Sequence, residues 1–114
     1  MSQIKLEEQI GGAILHLKGQ FVGGEETDHL RATFTEIAQK NQSRLIVDLE
    51  KTTYLNSTAL GVLIAAHANF AKRNGQIVLC NVSKSIENIF VITKLTLVFP
   101  IFSSLDDAIK SISK

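Results

Sequence analysis

Cysteine, proline, one-sided charge and long apolar runs are all scarce in this chain, and each scarcity excludes something. A single cysteine, Cys80, among 114 residues rules out an internal disulfide. Its place in the apolar run Ile77-Val78-Leu79-Cys80 marks it as a buried, reduced thiol of a cytoplasmic protein. Twelve Lys and Arg stand against eleven Asp and Glu, a formal charge of +1 with no basic block. That balance argues against nucleic acid and an anionic membrane surface as partners. No segment approaches the roughly 18 apolar residues of a membrane helix, and the opening MSQIKLEEQ lacks the basic-then-apolar order of a signal peptide. The expected location is the cytoplasm. His16, His29 and His67 fall on different elements without metal-ligand spacing, so no metal, cofactor or enzymatic activity is expected. Gly19, Gly23 and Gly24 match neither GxGxxG nor GxxxxGK[ST] and read as turn glycines.

What is present is the composition of one globular domain, 45% hydrophobic and 20% charged, taken to span residues 1–114. Its organising stretch runs from Leu45 to Gly75. Leu45, Ile46, Val47 and Leu49 form an unbroken apolar run, which suits a parallel strand covered on both faces. From Leu60 the apolar residues Leu60, Leu63, Ile64 and Ala71 recur at helical spacing, so Leu60, Leu63 and Ile64 are expected to be buried, with Gly61, Ala65, Ala66 and Ala68 thin enough for close packing on a sheet. Asn56 or Ser57 is the expected N-cap, placing Ser57 and Thr58 in or beside a first turn where unpaired N–H groups and the positive dipole end collect. A phosphate is at home in such a place. Lys72-Arg73-Asn74-Gly75 closes the helix with cations and a residue that tolerates the left-handed region.

Upstream, Ile4, Leu6 and Ile10 alternate with polar residues, and Gly11-Gly12 leads into Ala13 to Lys18, the pattern of an antiparallel hairpin. Gly19 to Gly24 is expected to be a loop. Glu25, Glu26 and Asp28 open a helix carrying Leu30, Phe34 and Ile37, closed by Lys40-Asn41. Downstream, Ile77 to Val82 reads as a second buried strand, Ser83 or Ser85 as the cap of a helix with Ile86, Ile89 and Phe90, and Val98 to Phe102 as a proline-bearing edge strand. Ser104 and Asp107 resemble a capping box before a last helix with Leu105, Ala108, Ile109 and Ile112. Strands and helices alternate after the hairpin. The expected fold class is therefore α/β, a mostly parallel sheet with an N-terminal antiparallel hairpin and about four helices. Among the remaining polar residues, His16 is read as a partly buried strand residue, His67 as lying on the flank of the central helix, and Asp48 as a helix cap or surface ion pair.

Leu45-Ile46-Val47-Asp48-Leu49, Asn56-Ser57-Thr58-Ala59-Leu60-Gly61 and Asn74-Gly75-Gln76-Ile77-Val78-Leu79 together resemble the STAS domain of bacterial anti-sigma factor antagonists. That family has an apolar strand ending in Asp-Leu or Asn-Leu, then a turn Asp-Ser-Ser/Thr-Gly-Leu-Gly, then an apolar helix, a glycine and a strand. Leu17-Lys18-Gly19-Gln20-Phe21 and Ile101-Phe102 with Asp106-Asp107-Ala108 extend the resemblance across nearly the whole chain. It implies a phosphoacceptor at Ser57 and a partner-binding surface at Gly23, Asn56, Ser57, Thr58 and Ala59. The implied partners are an anti-sigma factor that is itself a serine kinase, and a PP2C-type phosphatase that resets the switch, acting on a monomer or weak dimer. Unphosphorylated protein would hold the anti-sigma factor and free the sigma factor; phosphorylation would release it. Asn56, Ala59 and Val22 depart from the Asp, Gly and acidic residue usual at those positions. Two other readings stand beside this one: a STAS subunit bound constitutively in a signalling or transport assembly, with Ser57 only a cap, and a small α/β enzyme or nucleotide binder using the Gly19 to Gly24 loop.

Overall fold

The apolar patterns assemble into one five-stranded sheet whose spatial order follows the sequence, β1-β2-β3-β4-β5. The computed structural model describes residues 3–9, 11–40 and 44–112; Ile10 and Asn41, which belong to the expected hairpin and helix end, lie outside them. The elements are β1 (Gln3–Gln9), β2 (Gly12–Phe21), α1 (Gly24–Gln39), β3 (Arg44–Leu55), α2 (Ser57–Lys72), β4 (Gln76–Cys80), α3 (Lys84–Ile92), a 3-10 turn (Leu95–Leu97), β5 (Ile101–Phe102) and α4 (Leu105–Ile112). β1 runs antiparallel to β2, and every later pairing is parallel. This is the α/β arrangement that the alternating patterns imply.

The two hairpin glycines serve different purposes. Gly11 has φ 88°, a left-handed turn conformation that glycine adopts without a Cβ penalty. Gly12 pairs with Gln9 as the first residue of β2, and a Cβ there would collide with the Arg44 carbonyl oxygen. The chain therefore turns and approaches β3 closely within two residues.

Alternate residues along each inner strand feed two cores. Leu15, Leu17, Val47, Leu49 and Leu79 pack with Leu30 and Phe34 of α1, Leu63 and Phe70 of α2, and Ile86 and Phe90 of α3. On the opposite face Ile14, Ile46, Val78 and Cys80 meet Ala108 and Ile112 of α4. Being covered on both sides is why β3 opens with an unbroken apolar run. Arg44 Nη1 donates to the Ile112 carbonyl at 2.6 Å, tying the end of α4 to the start of β3.

Three local expectations are corrected. First, α2 buries Ala59, Val62, Leu63, Ala66 and Phe70, whereas Leu60 is half-buried, Ala71 is exposed and Ile64 is 42% exposed. Gly61, Ala65 and Ala68 also face outward. The helix is apolar on several sides, so more than one stripe satisfies the spacing, and the one carrying the bulk of Phe70 turns inward. Second, Gly19, Gln20 and Phe21 continue β2 instead of forming a loop. Gly19 at φ 94° and register slips between His16 and Lys18 and between Gly19 and Gln20 absorb the irregularity. β3 likewise runs on past Leu49 to Leu55. Third, the expected Val98 to Phe102 strand shrinks to Ile101–Phe102, with Phe99 buried and Pro100 accepting from Leu79 N–H through its carbonyl at 2.9 Å. Proline contributes an acceptor to the ladder where it cannot contribute a donor.

Leu63→Ala should lower stability by roughly 2–5 kcal/mol, since it empties a fully enclosed site. Ile64→Ala, one residue on, should stay within about 0.5 kcal/mol of the parent. Urea unfolding of the two variants in parallel checks the helix orientation; equal losses would contradict it.

Candidate functional site

Parallel strands end on the same edge of a sheet, and β2 and β3 end opposite one another at Phe21 and Leu55. The helices that follow, α1 and α2, therefore begin side by side. The link between them is short and specific. Asn56 N–H donates to the Phe21 carbonyl at 3.1 Å, and Asn56 Nδ2 donates to the Val22 carbonyl at 2.9 Å. On the α1 side, the Glu26 carboxylate accepts from Gly23 N–H at 2.9 Å and from Val22 N–H at 3.3 Å, and Thr27 Oγ1 donates to the Gly23 carbonyl at 2.7 Å.

Asn56 is the N-cap of α2, its Oδ1 accepting from Ala59 N–H at 2.9 Å. Both ends of one side-chain amide are thus used, the oxygen for the helix and the nitrogen for the neighbouring loop. An aspartate could provide the first contact but has no donor for the second. Ser57 and Thr58, the next two residues, are exposed, and their hydroxyls make no hydrogen bond among the described residues. Ala59 is fully buried beneath them. The structure brings Asn56, Ser57, Thr58 and Ala59 together as one helix start, and the Asn56 to Val22 tether sets Gly23 beside them.

Helix starts elsewhere carry their own counter-charge: Glu25 and Glu26 in α1, Glu87 in α3, Asp106 and Asp107 in α4. The first turn of α2 carries none, so its partial positive charge is directed at solvent. Large apolar side chains are exposed at the same strand ends, Val22 at 46% and Tyr54 at 47%, and Ile64 on α2 at 42%.

A second polar cluster lies on the α4 face of the sheet. Asp48 is 7% exposed and is held by four donors: His16 Nδ1 at 2.8 Å, Asn81 Nδ2 at 3.1 Å, Glu50 N–H at 3.1 Å and the Cys80 thiol at 3.9 Å. The other ring nitrogen of His16, Nε2, is 2.9 Å from Glu7 Oε1. Burial works against the charged Asp48 carboxylate, but the hydrogen bonds from Asn81, Glu50 N–H and His16 outweigh it and hold its pKa below the usual value. Burial, reinforced by the neighbouring Asp48 carboxylate, pushes the Cys80 thiol up to about 12. Asp48 is therefore a buried network centre, correcting its expected role as a cap or surface ion pair. Glu7 is a further partner of His16, diagonal to it on the antiparallel pair, a placement fixed by the strand register and not by either segment alone. His67 is partly buried, its ring edge-on to Phe99 at 5.5 Å. Among the described residues no His, Cys, Asp and Glu group could hold a metal, and no helix is long and apolar enough to cross a membrane.

The STAS domain family matches residues 3–108, and the chain belongs to it. It is 22% identical over 103 residues to an anti-sigma F factor antagonist of Paenibacillus polymyxa, covering 90% of this chain and 87% of that one. With a STAS-domain containing protein of Pseudomonas aeruginosa the identity is 32% over 87 residues, 76% of this chain and 84% of the relative. An anti-sigma factor antagonist from Mycobacterium paratuberculosis superposes with a TM-score of 0.88 at 19% identity, covering all of this chain and 96% of that one. The Bacillus cell fate determinant SpoIIAA in its phosphorylated form gives 0.77 at 19%, with 96% and 99% covered. A sulfate transporter family protein from Wolinella succinogenes gives 0.78 at 17%, with 92% and 87% covered.

Asn56→Ala should cost about 1–2 kcal/mol, the loss of a cap together with the Val22 tether, and Asn56→Asp should cost less because the cap survives. Denaturant titration ranks the two. Asp48 has a lowered folded pKa, so its contribution is present above the unfolded carboxyl value, about 3.9, and is lost as pH falls through the folded value. Unfolding midpoints measured from pH 5 to pH 2 should show a steep acid limb that Asp48→Asn flattens.

Proposed function

We propose that the protein is an anti-sigma factor antagonist that changes partners through phosphorylation of Ser57. The observation that carries this reading is the division of labour at the start of α2: Asn56 does the capping, leaving the Ser57 hydroxyl exposed and unengaged. A kinase can reach it without breaking a structural bond. The empty first turn of α2 accepts a phosphate carrying about −1.5 to −2 charges, because backbone N–H groups and the dipole favour an anion there.

In the unphosphorylated state the exposed Val22, Tyr54 and Ile64 side chains give an anti-sigma factor serine kinase an apolar footing next to the hydroxyl it modifies. Gly23, Asn56, Ser57, Thr58 and Ala59 form the polar and backbone part of that surface. The phosphate adds charge and bulk at the contact, which expels the partner, and a PP2C-type phosphatase restores binding. The protein acts by binding alone, as a cytoplasmic monomer or weak dimer without cofactor, and regulates transcription by freeing a sigma factor. A relative and a structural neighbour named anti-sigma factor antagonists support this direction over the transporter-like neighbour.

Incubation with the cognate kinase and ATP should add one phosphate, located by mass spectrometry at Ser57. Ser57→Asp should weaken partner binding at least tenfold, about 1.4 kcal/mol. Ser57→Ala should bind and resist release, with melting temperatures of both variants within a few degrees of the parent. Modification at Thr58 alone moves the site by one residue. Absence of modification, with full binding by both variants, overturns the switch in favour of a constitutive partner.

A further inference from the structure

The α4 face of the sheet is only partly covered: α4 packs over β3, β4 and β5, leaving β1 and much of β2 open. Between that open area and the first residue of α4 lies a cleft of about 420 Å³, within the roughly 300–1,000 Å³ of small-molecule sites. Its charged lining comes from three strands: Lys5 and Glu7 of β1, His16 and Lys18 of β2, and Asp48, Glu50 and Lys51 of β3, with Leu105 as an apolar wall.

The charges are sorted. Glu7 and Asp48 are both taken by His16, at 2.9 and 2.8 Å. The lysines are left over: among the described residues, none of Lys5, Lys18 and Lys51 has a carboxylate within ion-pair distance. Lys18 and Lys51 are moreover register partners across the parallel β2–β3 pair, and both line the cleft. Like charges opposite one another on neighbouring strands destabilise a sheet, and among the described residues neither lysine has a carboxylate within ion-pair distance to offset this. An anion between the ammonium groups would.

We propose that this cleft is a binding site for a small molecule carrying at least two acidic groups, carboxylate or phosphate, held by Lys5, Lys18 and Lys51. His16 is a positioning residue. By engaging Glu7 and Asp48 it stops those carboxylates from pairing with the lysines or repelling the ligand. Glu50, the remaining carboxylate of the lining, disfavours an acid group set beside it, and Leu105 offers an apolar wall to the neutral body of the ligand. The site is independent of Ser57, which starts a helix packed on the opposite face of the sheet.

The test is a titration of the full chain, followed by amide chemical shifts, with citrate for carboxylate chemistry and pyrophosphate for phosphate chemistry. Acetate and sodium chloride at matched ionic strength are the controls. The expected result is a saturable shift confined to residues around Lys5, His16, Lys18 and Lys51 with one of the two polyanions, which identifies the preferred acid group. Lys18→Gln with Lys51→Gln should weaken that binding at least tenfold while leaving the melting temperature of the free protein unchanged or higher, because a repulsion is removed. His16→Gln should weaken it through the released carboxylates, with both lysines still present. Shifts that grow without saturation and match the salt control overturn the proposal, as does undiminished binding by the double lysine variant.

Discussion

The parallel pairing of β2 with β3 is the constraint from which both polar regions of the molecule follow. Parallel strands present their carboxyl ends to the same edge, so Phe21 and Leu55 finish together and the chains leaving them start two helices as neighbours. Asn56 can cap one helix and hold the loop of the other only because of that coincidence. The same register sets His16 beside Asp48 and Lys18 beside Lys51 on the opposite face. An antiparallel partner would have separated the two helix starts by the length of a strand, and neither arrangement would exist.

The sequence was most legible where one physical demand dominated a segment. Burial on both faces leaves an uninterrupted run, so β3 and β4 were identifiable from Leu45 to Leu49 and Ile77 to Cys80. Helix starts were equally plain, because unpaired N–H groups need an acceptor: Ser83 Oγ accepts from Ile86 N–H at 3.3 Å, and Ser104 Oγ from Asp107 N–H at 3.1 Å. Asn74, at φ 59°, ends α2 in the left-handed conformation that its residue type tolerates. Legibility failed where two solutions met the same local rule. The apolar residues of α2 allow more than one inward stripe, and only the tertiary fit of Phe70 decides between them. Glycine in Leu17-Lys18-Gly19-Gln20-Phe21 signals a loop and a bulged strand alike. The Glu7–His16–Asp48 chain was illegible for another reason, since it joins three strands and depends on register, a property of pairs and not of segments.

Asn56 shows how a departure from a family pattern can have a local cause. Where the aspartate usual at this position offers only acceptors, the amide offers one acceptor and two donors, and this structure uses a donor on the Val22 carbonyl. Val22 departs from the pattern in the same place. With neutral residues at both positions, the field around the start of α2 is set mainly by the helix itself, and Glu26 is committed to the N–H groups of Val22 and Gly23.

The two polar regions differ in how tightly their chemistry is bound to stability. Asp48 accepts from a histidine, an amide, a backbone N–H and a thiol while nearly enclosed, so any change in its charge is felt by the fold. Ser57 has no such obligations: the cap belongs to Asn56 and the core beneath belongs to Ala59 and Leu63. A residue can gain or lose a charge with little effect on the folding equilibrium only if the cap and the core contacts beside it belong to other residues. Placing the structural duty on position 56 and the free hydroxyl on position 57 meets that condition within a single turn of helix.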